Sequence, residues 1–357
     1  IDIVEGVDFT IDVSCRHLPR YVMTPEESQK YTDNEDMFWG LIAEGLERHP
    51  DLVETWGEDV VMERINREVD TIKYGDTIDY FLITRDIVNW CHENGIMTGI
   101  SRGSAGGCLI SYLLGITKLD PLKYNLLFER FLNKGRVKKS LPDIDVDFPG
   151  ITRDKVKKYM EDRFGAFQVA SVGTYSALQL RAAMKDLSRL YGLQFQEVNE
   201  MMKLFSVDDR KPEDLFYKAC ASPTVKQFVK EHPDLVNEVM LVMPAPKAQS
   251  IHACATMIFP TEYDMFRWVP IRKVGNEYVT EWEGTEMDSA GFLKQDILGV
   301  KQLDKFQEMV RLIKENEGLD IDIFSVPLDD PEVYRYFQEG WTEDNFHFGS
   351  RGLTGYC

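Results

Sequence analysis

Cysteine is sparse in this chain. Six residues in 357 (Cys15, Cys91, Cys108, Cys220, Cys254 and Cys357) lie far apart, with no Cys-x-x-Cys and no histidine at ligand spacing. That argues against zinc and against a disulfide framework, and it fits a reducing cytoplasm. No apolar run is long enough to span a membrane, and no charged-then-apolar leader opens the sequence. Repeats and low-complexity linkers are missing too. Basic residues are outnumbered: 41 Lys and Arg against 60 Asp and Glu leave a formal net charge of −19. A simple nucleic-acid-binding module is normally basic, so that class is disfavoured. An enzyme acting on nucleic acid is not, because the local field at a site matters more than the sum.

What is present is enough for two or three domains with real cores, and 43% hydrophobic and 28% charged residues are ordinary for a globular chain. The sequence opens at Ile1 and stops at Cys357 after a Gly-rich stretch, so it is expected to be a piece of something longer. Its charge is uneven. From Arg130 to Lys158 there are nine basic residues, against Asp143, Asp145, Asp147 and Asp154. A solvated helix face accounts for part of that run.

Val61, Ile65, Val69 and Ile72 recur at helical spacing, and a second helical pattern runs from about Asp79 to Asn94. Gly95–Ile100 reads as a short strand, followed by a Gly-rich turn and a helix from Ser104 carrying Leu109, Tyr112, Leu113 and Ile116. Thr152 is placed to cap a basic helix ending near Gly165. From about Ser176 to Pro246 the pattern is helical and Met-rich, with Met as core filler. Short β-like runs return at Ala255–Phe259, Arg267–Arg272, Tyr278–Trp282 and Phe292–Leu298, and a helix follows from about Gln302. The order predicts an α+β domain interrupted by a helical insertion.

Three segments can carry chemistry. In Leu141-Pro142-Asp143-Ile144-Asp145-Val146-Asp147-Phe148, acidic and apolar residues alternate, so a strand would present Asp143, Asp145 and Asp147 on one face. Like charges on one face repel. Either the face is solvated at a sheet edge, or something positive sits there, and hard oxygen ligands favour Mg²⁺ or Mn²⁺. Ser101-Arg102-Gly103-Ser104-Ala105-Gly106-Gly107 is a Gly-rich loop before a helix. It is either a plain tight turn or a phosphate cradle, with Ser104 adding a hydroxyl and Arg102 a charge. It lacks the endings of a P-loop and of a dinucleotide fold. In Phe292–Gly299, Lys294 and Asp296 would share a strand face, as a surface pair or as the third carboxylate of a two-ion site with a charge-neutralising lysine.

Taken with Tyr80-Phe81-Leu82-Ile83, Leu127-Phe128-Glu129-Arg130-Phe131-Leu132-Asn133, His252-Ala253, Asp296-Ile297-Leu298-Gly299 and Ser350-Arg351-Gly352, these segments resemble the α subunit of bacterial DNA polymerase III. This is the C-family replicative polymerase, in a bacterial or phage version, and the resemblance is almost continuous from about His17 to Leu353. It implies a polymerase β-like nucleotidyltransferase palm with a mixed sheet, interrupted by an all-helical thumb. The implied parts are palm at 1–175 and 251–301, thumb at 176–250, and the start of the fingers at 302–357. It implies catalytic metal ligands at Asp143, Asp145 and Asp296, with Asp147 a bystander, and two Mg²⁺ ions for which Mn²⁺ can substitute. Triphosphate contacts fall on Arg102, Gly103, Ser104, Arg130, Arg136 and Lys294. Arg181 and Lys185 on thumb helices are candidate DNA contacts. His252 reads either as a hydrogen-bonded structural residue or as a contact to DNA or nucleotide.

The implied reaction is template-directed transfer of dNMP to a primer 3′-hydroxyl, in the cytoplasm, with primer–template DNA and dNTP as partners and no membrane. Sliding-clamp and other replisome contacts fall on regions after Cys357, so this chain alone is expected to polymerise poorly. The sequence departs from the family pattern at Ile100-Ser101, Gln295 and Gly349, and by two extra residues near Lys138-Lys139; none of these removes a carboxylate of the triad. The competing classes are a non-catalytic DNA-binding or assembly subunit derived from the polymerase, and a two-metal nuclease. Three mutually repelling carboxylates weigh against the first, and the match outside the metal site against the second.

Overall fold

A computed structural model describes residues 16–138, 142–205, 211–343 and 345–357; Cys15, Lys139 and Leu141, named above, lie outside the described residues. The chain divides into two compact units. One comprises Ile1–Val172, Ala253–Thr280 and Gly284–Cys357, the other Gly173–His252 and Glu281–Glu283.

Early in the first unit stand the long helices α1 (Asn34–Arg48), α2 (Glu58–Tyr74) and α3 (Ile78–Glu93). Asp33 caps α1 by accepting from the Asp36 N–H at 2.8 Å. On α2 the predicted stripe of Val61, Ile65, Val69 and Ile72 is buried. On α3 the consecutive residues Tyr80, Phe81, Leu82 and Ile83 are all buried, as suits a helix surrounded by protein. Phe81 meets Phe38 and Phe131 edge-on.

Two expectations fail in the next stretch. Residues 95–100 form no strand, and Gly95 turns at φ +67. Their polar groups are taken up piecemeal, with the Gly99 N–H donating to the Asp147 carbonyl and the Ile100 carbonyl accepting from the Lys118 N–H. The helix expected from Ser104 starts instead at Leu109 (α4, Leu109–Leu113), after a 3₁₀ turn over Gly103–Gly107 and an extended Cys108. Close backbone packing forces that break: a Cβ on Gly107 would lie 2.9 Å from the Leu127 carbonyl oxygen.

Strand β1 (Asp145–Phe148) leads into α5 (Arg153–Phe164). Thr152 stands at the cap position without capping, because its hydroxyl donates to the Pro149 carbonyl at 3.0 Å. Strand β2 (Val169–Ala177), not expected from the sequence, carries the chain into the second unit. There α6 (Leu180–Leu190), α7 (Phe195–Met202), α8 (Asp214–Ala221), α9 (Pro223–Glu231) and α10 (Pro233–Val242) enclose a core including Leu180, Met184, Met201, Leu215 and Leu235. β3 (Pro246–Ile258) brings the chain back and is longer than its apolar run implied, since its first residues are exposed. The expected run Arg267–Arg272 is partly helical: Asp264 accepts from the Phe266 N–H and starts a turn over Met265–Trp268, so β4 covers Ile271–Val274. β5 (Glu277–Thr280), β6 (Lys294–Gly299) and α11 (Lys301–Glu317) follow.

Among the described residues one six-stranded sheet has the order β1-β6-β3-β2-β5-β4. It is mixed: β1 with β6 and β2 with β5 are parallel, while β3 with β6 and β4 with β5 are antiparallel. Ile144, Val146, Phe148 and Ile297 enter the same core as the residues of α1 to α4. No described helix is long and apolar enough to cross a membrane.

Candidate metal centre and phosphate loop

Asp145 and Asp296 are register partners in the parallel β1–β6 pair, so their side chains leave the sheet on the same side. Asp143 lies two residues before Asp145, just ahead of β1 rather than on it as the alternation had predicted. The three carboxylates each offer an oxygen within 4.8 Å of the others. Burial raises the Asp145 pKa, and the charges of Asp143 and Asp296 raise it further, with Arg102 and Lys294 opposing. Lys294 Nζ lies 2.9 Å from Asp296 Oδ2 and 3.5 Å from Asp143 Oδ2. Burial alone would lower the Lys294 pKa, but its bond to Asp296 and the charges of Asp296, Asp143 and Asp288 raise it.

With one cation in contact with three carboxylates and Arg102 acting from farther off, the cluster is underneutralised, and Asp296 Oδ1 is buried with no hydrogen-bond partner. A hard divalent cation is the ligand such a donor set fits. Asp288, on the short helix Gly284–Ser289, is a fourth carboxylate in this field. Burial raises its pKa first, and Asp143 and Asp296 add to the shift. Nothing in the local sequence around Asp288 marks it out.

Below the triad, Tyr80 is fully enclosed and its hydroxyl oxygen accepts from the Ile144 N–H at 2.9 Å. Burial drives the Tyr80 pKa upward, that bond opposes it, and the carboxylates of Asp143, Asp296 and Asp145 add to the rise. A neutral phenol therefore fixes the backbone between two of the three acids.

The Gly-rich loop packs directly on this site. Gly103 has φ +63, and a Cβ there would lie 3.0 Å from Asp145 Oδ2, so both conformation and space call for glycine. Arg102 reaches Asp147 at 3.5 Å, and Ser104 is exposed beside it. Burial raises the Asp147 pKa, and Arg102 opposes the rise. Arg130 ends the turn Phe128–Arg130 and Arg136 lies on the segment after it, both exposed. Arg136 donates to the carbonyls of Arg130 and Phe131.

Beneath the loop lies a pair that motif reading missed. Glu68 Oε1 accepts from Arg64 Nε at 2.5 Å and from the Leu109 N–H at 3.1 Å. Its Oε2 accepts from the Ile110 N–H at 2.9 Å and from Cys108 Sγ at 3.2 Å. Arg64 Nη2 in turn donates to the carbonyls of Gly107 and Leu126. Burial pushes the Glu68 carboxyl up, against Arg64 and the two amides; four donors and no acceptor face it, so the cage fits the ionised form. The signal was available: one acid on the Ile65–Val69–Ile72 face of α2, with an arginine four residues before it.

The remaining candidates belong to the second unit. Arg181 donates to the Phe205 carbonyl, and Lys185 lies 5.5 Å from the Phe195 ring centroid. His252 is half-buried on β3.

Residues 38–299 match the family described as the bacterial DNA polymerase III alpha NTPase domain, and residues 302–357 match the bacterial DNA polymerase III alpha subunit finger domain. The chain belongs to the bacterial DNA polymerase III alpha family. It is 34% identical to the DNA polymerase III subunit alpha of Aquifex aeolicus over 362 residues, covering 94% of this chain and 30% of that protein. Against the Thermus aquaticus subunit the identity is 34% over 306 residues, covering 85% and 25%. Against that of Staphylococcus aureus strain MRSA252 it is 32% over 339 residues, covering 94% and 30%. The chain thus spans under a third of the length of these relatives.

Proposed function

We propose that the first unit carries the nucleotidyl-transfer site of a DNA-directed DNA polymerase, joining dNMP to a primer 3′-hydroxyl and releasing pyrophosphate. The observation that carries this reading is the convergence of Asp143, Asp145 and Asp296 with the Gly103 loop packed against Asp145. The three carboxylates would hold two Mg²⁺ ions, with Mn²⁺ able to substitute. Bound there, such ions activate the attacking hydroxyl and offset charge on the transferring phosphate.

The chain's own residues do the positioning. The backbone and hydroxyl of Gly103–Ser104 cradle the β- and γ-phosphates, and Arg102 adds charge at the same loop. Lys294, already between Asp143 and Asp296, balances the charge that develops on the α-phosphate. Arg130 and Arg136, both exposed, serve the triphosphate further out. In this reading the sheet-bearing unit is a polymerase β-like palm, the second unit a thumb that grips primer–template duplex with His252, Arg181 and Lys185 near it, and residues 302–357 the start of the fingers. The cellular setting is the bacterial cytoplasm.

Mn²⁺ titrated into the chain by calorimetry, with primer–template and dNTP present, tests the assignment. Saturable binding that disappears in Asp145→Asn is expected, and unchanged binding in that variant would overturn it. A labelled primer that shortens without dNTP, rather than lengthening with it, would mean a nuclease.

A further inference from the structure

Away from the acidic triad, the first unit holds a half-open cavity of about 590 Å³ between α1, α3, the segment after α4 and residues 322–325. That size lies within the roughly 300–1,000 Å³ of small-molecule sites. Three permanent or near-permanent cations, Arg48, Arg85 and Lys118, line it with His49 and His92, and the lining contains a single carboxylate, Asp322. In a chain of net charge −19 this is the reverse of the average surface.

Two of these cations are held in place by backbone carbonyls. Arg48 Nη2 donates to the Leu113 carbonyl at 2.7 Å, and Lys118 Nζ to the Thr98 carbonyl at 3.1 Å, with the Phe324 ring centroid 4.1 Å away. Among the described residues none of Arg48, Arg85 and Lys118 forms an ion pair. Asp322 acts on Lys118 from a distance while accepting from the Phe324 N–H. Glu44, the acid that feels Arg85, is engaged by Lys30. Asp51 and Asp120 act on His49. Burial pulls Lys118 down to about 8, and the distant Asp322 offsets only part of that.

We infer that this cavity binds a phosphate-bearing ligand of nucleotide size. Converging cations in a concavity focus field on an anion, and Arg forks match phosphate oxygens. A single carboxylate would leave most of that charge unmatched, and a phosphate group offers both more charge and more acceptors. The phosphate can come from a free nucleotide or pyrophosphate, or from the backbone of a DNA strand. The site is separate from the triad and stands whether or not the polymerase reading does.

The test uses the chain in EDTA, so that metal-dependent binding at the triad does not contribute. Inorganic pyrophosphate is titrated by calorimetry, and fluorescein-labelled (dT)₈ by anisotropy, against the parent and the Arg85→Gln, Lys118→Gln and Lys118→Arg variants. Each Gln variant is expected to weaken binding about tenfold or more, the scale of one lost charge-assisted hydrogen bond, and Lys118→Arg to retain it. Weakening of pyrophosphate points to a free phosphate; weakening of (dT)₈ alone points to a strand. Absence of saturable binding, or equal affinity in parent and both Gln variants, overturns the proposal. Matching thermal melts exclude misfolding as the cause of any loss.

Discussion

Asp296 and Glu68 are two acids in the same unit whose surroundings differ in one respect. Glu68 sees four donors and has every lone pair occupied, whereas Asp296 has one oxygen on Lys294 and one buried oxygen on nothing. A satisfied buried carboxylate is architecture. An unsatisfied one beside two more carboxylates is a place where a ligand is due. The difference teaches that partner count, more than burial, separates the acids that hold this fold from those that face chemistry.

Breaking the two sites separately should give opposite signatures. Glu68→Ala strands Arg64 and leaves two amides and the Cys108 thiol without their acceptor, so a loss of about 3–5 kcal/mol is expected in urea unfolding. Asp296→Asn removes a repelling charge, so metal-free stability should hold or rise slightly while Mn²⁺ binding is lost. If both variants lost stability equally, the contrast would collapse. Tyr80→Phe probes the link between architecture and site. It leaves the Ile144 N–H buried without its acceptor, for about 1–3 kcal/mol by thermal melting, with the triad's residues untouched.

The smallest effect is in the pH profile. Burial lowers the pKa of His92 below its ordinary 6.5, with Lys118 adding to the shift. The folded state therefore binds fewer protons than the unfolded one below about 6.5, and stability falls as pH drops through that value. His92→Asn should flatten the stability curve slightly between about pH 7 and 5. A slope identical to the parent's would remove His92 from the account.

Much of the local structure was legible in the sequence. Period two placed Ile144, Val146 and Phe148 in the core and their acidic neighbours on the other face, and period 3.6 placed the α2 stripe. What brings Asp145 beside Asp296 was not legible from either strand alone, because strand order depends on packing between distant segments. The Gly-rich loop was visible as a loop, but its 3₁₀ turn and late helix start follow from backbone contact with Leu127, which no propensity records. β2 was missed because its exposed end breaks the apolar pattern. Asp288 was missed because an acid on a short exposed helix looks like any other.

The parallel pairing of β1 with β6 also sets a clock. Asp143 and Lys294 are 151 residues apart, and the second unit's helices lie between them in the chain. At roughly 5–20 residues per second of synthesis, about 8–30 s separate the emergence of the first acids from that of the last. During that interval Asp145, with Asp143 just ahead of it, waits on a strand whose neighbour has not yet been made. The nascent chain thus carries an open sheet edge, and the full set of charges comes together only when the late strand arrives to close it.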